Sequence, residues 1–295
     1  MIYSVLHRTT YAYESEVTFA RCVLRLTPRT TADQTLLHNT IELTPAPSAS
    51  VASVGAFGEA MRQVIVTTPH RKLVIEARSR VEVDAPPIAF SFATSWESVR
   101  TRALASGALG PDGPASFLYP AARTPIIPTI TDYARVSFTP GRAIIEAAAE
   151  LMRRIRDDFR YDPAATDVST PAAAAFEARH GVCQDFAHIM ISGLRGLGLP
   201  AGYVSGYLRT RQPGSAPRLQ GADATHAWVQ LWCGDSSGWI GFDPTNAVTV
   251  RNDHIVLAIG RDYADAAPID GVLLAPGAQT LEVEVDVAPE AALMG

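Results

Sequence analysis

The stretch GVCQDFAHIMISGLRGLGLP, residues 181–200, places a cysteine at the start of a predicted helix. Hydrophobic residues recur at three- and four-residue intervals over residues 186–197, which predicts an amphipathic helix that ends at Gly198. Cys183 then lies in the first turn, where unpaired backbone N–H groups and the helix dipole favour a thiolate. Only three cysteines are present in the chain, so a disulfide framework is not expected. Cys183 taken alone is either a buried, inert thiol or a nucleophile, and a partner histidine is needed to decide.

The composition is that of a globular protein. The chain has 295 residues, of which 47% are hydrophobic and 19% charged, and this length favours two domains. A net charge of -5 without a basic run argues against nucleic-acid binding. Residues 1–17 alternate apolar and polar side chains and lack the features of a signal peptide. Since no apolar run approaches the ~20 residues that span a bilayer, we expect a cytoplasmic protein without membrane contact.

The first third of the chain predicts a β-sandwich-like N-terminal domain over residues 1–92. Four short alternating or β-branched segments are separated by turn-forming residues: 17–26, 36–43, 61–66 and 73–83. Within the last of these, one face is apolar or small and the other mostly charged, which predicts a half-buried antiparallel strand. Residues 93–139 contain a proline-rich run and a short helix at 95–105, so we interpret them as a connecting segment.

From residue 140 the pattern becomes helical, and residues 140–295 are predicted to form the second domain. An amphipathic helix covers residues 144–159, and an alanine-rich helix follows Thr170 as its N-cap and ends near Arg179, with Gly181 as a left-handed cap. Strands are predicted at 202–208, 224–232, 239–243 and 281–287. We assign the last of these, at the C-terminus, to this second domain.

Two of these strands form a predicted hairpin that brings His226 to Asp243. A turn over residues 233–236 places the two residues directly opposite each other, and a turn over 234–237 places them diagonally. In both registers the carboxylate lies on the same face as the imidazole. An aspartate that orients a histidine, which in turn faces Cys183, is the arrangement of a nucleophile, its base and the residue that holds the base.

Three segments resemble the bacterial branch of the transglutaminase-like superfamily, whose members are thiol enzymes with a papain-like core. They are residues 181–208, DATHAWVQLW at 223–232 and GWIGFDPTN at 238–246. The resemblance implies an α+β fold, in which a helix that carries the nucleophile packs on an antiparallel sheet behind an N-terminal β-rich domain. It further implies that Cys183 is the nucleophile, His226 the general base and acid, and Asp243 the residue that orients His226. A peptide or protein amide is then the expected substrate, and no cofactor is expected.

The sequence departs from the family pattern at two places. Gln184 follows the cysteine, where animal-type transglutaminases have tryptophan, and this favours amide hydrolysis over protein cross-linking. Residues 56–59, Ala-Phe-Gly-Glu, replace an Asp-Phe-Gly-Asn-like turn that we interpret as structural. A protein-glutamine transglutaminase and a catalytically silent binding or scaffold module stay open as alternatives.

Several neighbouring residues have two interpretations. Asp185 either stabilises the first helical turn or contributes beside the thiol, and Trp228 either walls the cleft or packs in the core. His188 is predicted to be a buried, hydrogen-bonded residue rather than a catalytic one. A zinc site built from His180, Cys183, His188 and Cys233 can be imagined, but its spacing matches no common zinc pattern, so no metal is expected.

Overall fold

The computed structural model describes residues 1–85, 94–210, 219–221, 224–274 and 277–290. These residues form fifteen strands: β1 (Ile2–Val17), β2 (Phe19–Leu24), β3 (Gln34–Thr44), β4 (Ala49–Val54), β5 (Ala60–Val66), β6 (His70–Val83), β7 (Arg160–Tyr161), β8 (His180–Gly181), β9 (Ala201–Leu208), β10 (His226–Trp232), β11 (Trp239–Asp243), β12 (Val248–Thr249), β13 (His254–Gly260), β14 (Ile269–Leu274) and β15 (Gln279–Pro289). The helices are α1 (Trp96–Ala105), α2 (Pro128–Arg135), α3 (Ile144–Asp158), α4 (Ala172–Ala178), α5 (Cys183–Gly196) and α6 (Tyr263–Ala266), with a 3₁₀ turn at Pro114–Phe117.

The N-terminal strands form two antiparallel sheets that share a hydrophobic core. The strand orders are β15-β1-β6-β3 and β14-β2-β5-β4. In β6 the predicted alternation is present, since every second residue from Leu73 to Val83 is buried. Side chains from both sheets, including Leu24, Val64 and Ile75, meet in one buried cluster. The alternating pattern of the sequence therefore marks the faces along which the two sheets pack.

The C-terminal strand corrects the predicted domain assignment. A strand at 281–287 is present within β15, but it pairs with β1, so that Val287 lies opposite Val5. The preceding strand, β14, pairs with β2 in the other N-terminal sheet. The assignment of this strand to the second domain was therefore wrong. Alternation shows that one face of a strand is buried but does not identify its partner, which here is the long edge of β1.

The second layer of the molecule, which consists of helices α1 to α6 and the sheet formed by β9 to β13, is α+β, as predicted. Its antiparallel sheet has the order β12-β11-β10-β9-β13. Helix α5 packs on β9 and β10, and its buried side chains join those of α1 to α4 in the largest hydrophobic cluster. A further cluster joins this layer to the N-terminal sheets through residues such as Tyr3, Tyr207 and Val287. Within the described ranges, no helix is both long and apolar enough to cross a membrane.

The short helices begin and end near their predicted positions. Ser95 caps α1, since its Oγ accepts a hydrogen bond from Ser98 N. Both caps of α4 differ from the prediction. Helix α4 follows Pro171 as its N-cap, and its left-handed cap is Arg179 (φ 58°) rather than Gly181. The Arg179 guanidinium lies over the rings of Phe176, Phe159 and Tyr133 at 4.4, 4.7 and 5.2 Å. These cation–π contacts offset part of the free-energy cost of the left-handed backbone conformation at Arg179.

The position of β15 gives a stability prediction. We expect Val287→Asp to destabilise the fold by about 3 kcal/mol or more. The substitution puts a carboxylate into a fully buried site between the N-terminal sheets and the sheet formed by β9 to β13. The matched change Leu281→Asp lies on the same strand but at a side chain that is 57% exposed, so it should cost less than about 0.5 kcal/mol. Urea unfolding measures both, and equal effects would contradict the pairing of β15 with β1.

Candidate active site

The start of α5 presents the cysteine in a rigid first turn. Cys183 is partly exposed and is the first helical residue, after Val182 in extended conformation. Oδ2 of Asp185 accepts hydrogen bonds from Val182 N at 2.8 Å and from Thr166 Oγ1 at 2.7 Å. The structure thus supports the interpretation of Asp185 as a residue that stabilises the helix start. Burial raises the pKa of Asp185 despite these hydrogen bonds.

The hairpin adopts the second of the two predicted registers. Trp232 pairs with Trp239 and Val229 with Phe242, which places Asp243 diagonally from His226 on the same face. His226 Nε2 lies 2.9 Å from Asp243 Oδ2, and neither side chain is exposed. The predicted contact between imidazole and carboxylate is therefore present.

Asp243 accepts five hydrogen bonds. Its Oδ2 faces His226 Nε2, Asn246 Nδ2 at 2.8 Å and His254 Nε2 at 3.2 Å. Its Oδ1 accepts from the backbone N of Thr245 and of Asn246 at 2.9 and 3.2 Å. Burial alone would raise the pKa of Asp243, but the charge of His226 and the hydrogen bonds from both histidines hold it well below the ordinary value. The group is an ionised carboxylate, so both Nε2 atoms must donate.

This donor arrangement leaves Nδ1 of His226 as the basic nitrogen. Burial would lower the pKa of His226, but the charges of Asp243 and Cys183 and the hydrogen bond to Asp243 raise it above the ordinary value. Nδ1 has no hydrogen-bond partner among the described residues, so it is available to accept a proton. The structure thus brings Cys183, His226 and Asp243 together at one site.

Comparisons with known proteins match both halves of this architecture. Residues 3–82 match the bacterial transglutaminase-like N-terminal region, and residues 133–244 match the transglutaminase-like superfamily. The chain is 37% identical to Rv2569c of Mycobacterium tuberculosis over 295 residues, which cover 97% of this chain and 92% of that protein. The chain belongs to the transglutaminase-like superfamily.

Two further comparisons concern the fold and the chemistry of relatives. A crystal structure of a candidate cysteine protease from Cytophaga hutchinsonii superposes with a TM-score of 0.76 and 21% identity, covering 99% of this chain and 92% of that one. The two chains therefore share one fold over nearly their whole lengths. A protein-glutamine gamma-glutamyltransferase of Pseudomonas aeruginosa is 33% identical over 107 residues, 33% of this chain and 16% of that protein.

Trp228 packs in the core, beside the two histidines that face Asp243. Its indole stacks beside the His226 ring at 6.2 Å between centroids and meets His254 edge-on at 5.1 Å. It also packs in a buried cluster with Phe117, Val204 and Ile259. Gly206 makes room for the indole, because a Cβ at that position would lie 2.4 Å from Trp228 Cη2. Trp228 is therefore a core residue of this transglutaminase-like fold that also contacts His226 and His254.

The loop before β10 supplies a contact that sequence reasoning missed. Gly221 has φ +82°, and a Cβ there would lie 2.6 Å from His226 Nδ1. Asn246 anchors this loop, since its Oδ1 accepts from Gln220 N at 2.8 Å and its Nδ2 donates to Gln220 O at 3.3 Å. In the sequence, the position of Asn246 three residues after Asp243, within the FDPTN segment, was the one feature that could have indicated this contact. The backbone at Gly221 therefore lies against the basic nitrogen.

Cys22, Cys233 and His188 are residues with structural environments. Cys22 and Cys233 are buried, and burial raises the pKa of each thiol. His188 is buried, accepts from Tyr263 N at 3.2 Å and has its pKa lowered to about 3 by burial, as expected for a hydrogen-bonded core residue. Over the described ranges, no group of three or more His, Cys, Asp or Glu side chains is arranged to hold a metal ion.

The pKa pattern predicts how Asp243→Asn changes thiol reactivity. Wild-type Cys183 should react with iodoacetamide at about pH 6, below the ~8.5 pKa of a free thiol, because the protonated His226 pairs with the thiolate. In Asp243→Asn, burial still lowers the pKa of His226 while the largest opposing charge is gone, so less imidazolium forms. We expect the rate at about pH 6 to fall at least tenfold and the profile to shift to higher pH. Peptide mass spectrometry measures the rate, with exposed Asp157→Asn as control. An unchanged profile would refute the pairing.

A second prediction separates backbone strain from the contact with His226. Gly221→Ala should cost stability because of its positive φ and should also displace the imidazole from Cys183. Gly238→Ala is matched, since Gly238 has φ +61° but a Cβ added there would have no heavy atom within 4 Å. Both variants should lose about 1–2 kcal/mol, but only Gly221→Ala should slow the alkylation of Cys183. Equal alkylation rates would contradict the contact.

Proposed function

We propose that this protein catalyses cysteine-dependent acyl transfer on peptide or glutamine-type amides through a thioester, with water as the main acceptor. The observation that supports this proposal is the buried His226–Asp243 pair beside a partly exposed cysteine at a helix start. Of the three cysteines, Cys183 alone lacks full burial. Membership of the transglutaminase-like superfamily agrees with this chemistry.

The first half of the reaction forms the thioester. His226 Nδ1 takes the thiol proton, and Asp243 stabilises the resulting imidazolium through Nε2. The thiolate attacks the amide carbon, and the developing oxyanion is met by backbone N–H groups of the first turn of α5, including that of Cys183. As the C–N bond breaks, His226 returns its proton to the departing amine or ammonia.

The second half regenerates the enzyme. With water as acceptor, His226 removes a proton from the attacking water, the C–S bond breaks and the sulfur recovers its proton, which releases a carboxylic acid. With an amine as acceptor, the same steps form a new amide. The residues in contact with the thioester are the same in both cases, so the choice depends on which acceptor reaches the carbonyl.

Hydrolysis is favoured by the residue after the nucleophile. Gln184 stands where animal-type transglutaminases have tryptophan, and its Nε2 donates to Val168 O at 3.2 Å. The structural neighbour described as a candidate cysteine protease supports the same direction by analogy. Transglutamination is the second candidate, favoured by the partial identity to the Pseudomonas gamma-glutamyltransferase. The assembled Cys183, His226 and Asp243 argue against a silent binding module.

The acceptor can be tested by a partition experiment. Wild-type protein is incubated with a glutamine-containing peptide and with casein, with and without hydroxylamine, and products are read by mass spectrometry. We expect peptide cleavage or conversion of glutamine to glutamate, with hydroxamate as a minor product. Cys183→Ala should abolish all products, and Cys22→Ala should retain them.

Each other outcome has a defined meaning. Hydroxamate or cross-linked casein in excess over the acid would establish a transglutaminase. Products that persist in Cys183→Ala would overturn the thiol mechanism. Absence of turnover, combined with a Cys183 that reacts no faster than a free thiol at about pH 6, would favour the silent module.

A further inference from the structure

His254 places a second imidazole on the carboxylate of Asp243. Its Nε2 lies 3.2 Å from Oδ2, and the residue is 3% exposed. Its Nδ1 is buried and has no hydrogen-bond partner among the described residues. The acyl transfer proposed above uses His226 alone, so the buried contact between His254 and Asp243 is unassigned.

The sheet brings the two imidazoles to one oxygen from opposite sides of a strand. His226 begins β10 and His254 begins β13, and both strands pair with β9, where Gly206 lies between His226 and Val256. The two ring centroids are 6.4 Å apart. Because an ionised carboxylate only accepts hydrogen bonds, the His254 proton must be on Nε2. His254 is therefore a directed donor to the oxygen that His226 uses.

A second contact links His254 to the same imidazole. The Trp228 indole meets the His254 ring edge-on at 5.1 Å and stacks beside the His226 ring at 6.2 Å. His254 thus contacts two groups that also contact His226: the Asp243 carboxylate at Nε2 and the Trp228 indole along the ring face.

We propose that His254 is a positioning residue of the thiol site, which holds Asp243 Oδ2 and Trp228 in the orientation that directs His226 Nδ1 towards Cys183. This inference rests on the proposed thiol chemistry. A merely structural histidine would affect unfolding alone, whereas a positioning residue also sets the pH range over which the thiol reacts.

Two variants test the donated hydrogen bond. His254→Leu removes the donor at similar volume, and His254→Gln keeps an amide N–H that can reach Asp243. We expect His254→Leu to lower the rate of Cys183 alkylation at about pH 6 by about tenfold, the size of one hydrogen bond to a charged group, and to shift the pH profile upwards. His254→Gln should restore most of the rate. His70→Leu, at a buried histidine of the N-terminal sandwich, serves as the matched control and should leave the profile unchanged.

The charged surroundings of His254 make the comparison between variants necessary. Besides Asp243 and His226, the residues Arg29, Asp33, Asp112 and Arg251 line the cavity of about 440 Å³ that His254 also lines. These groups are the same in all variants, so the difference between the pH profiles of His254→Leu and His254→Gln reports the effect of the hydrogen-bond donor alone. Equal profiles for wild type and His254→Leu would overturn the inference.

A measurement on the wild-type chain covers the case in which His254→Leu does not fold. Histidine-selective NMR labelling should place a proton on Nε2 of both His226 and His254. Alkylation of Cys183 should shift the signals of both rings and leave those of His70 in place. A His254 signal that does not respond would refute the coupling. If wild-type Cys183 itself lacks enhanced reactivity, the proposed function fails, whereas normal wild-type reactivity without a His254 effect refutes only this inference.

Discussion

The candidate site depends on a buried negative charge. Removing a carboxylate from water costs several kcal/mol, and Asp243 is fully buried. Five donors offset that cost, three on Oδ2 and two on Oδ1. This satisfied carboxylate gives His226 both its tautomer and its raised pKa. Without it, a buried imidazole beside a thiol would be neutral and a poor partner for a thiolate.

The five donors come from two kinds of structure. Thr245 and Asn246 lie two and three residues after Asp243, so the turn after β11 supplies three of the hydrogen bonds locally. The two imidazoles come from β10 and β13, which lie on either side of β9. The carboxylate therefore requires a correct turn and also a correct strand order, and a change of register by one residue would direct the imidazoles to the opposite face.

The difference between contacts that are local in the sequence and contacts that are not explains which parts of the site could be predicted from the sequence. The contact of His226 with Asp243 follows from a hairpin. The length of the turn allows two registers, and because side chains alternate along a strand, both registers place the two residues on the same face of the sheet. The contact of His254 could not be derived, because β13 reaches the site through non-local pairing with β9 and a register shift between Val256 and Ala258. The C-terminal strand was misassigned for the same reason, since its partner β1 is distant in sequence. Membership of the superfamily followed from local motifs, whereas the additional donors around Asp243 needed the tertiary structure.

The N-terminal sandwich is connected to the candidate site through the β13 edge of the five-stranded sheet. Strand β13 is an edge strand, and its Val256 N donates to Gln34 Oε1 at 2.7 Å while Val256 O accepts from Gln34 Nε2 at 2.9 Å and from Arg29 N at 3.0 Å. Gln34 is 4% exposed, so its amide acts as a short extension of the sheet within two residues of His254. Strands β14 and β15 then return the chain to the N-terminal sheets. The sandwich completes the edge that carries His254, so the strand that brings this imidazole to Asp243 depends on contacts from both parts of the fold.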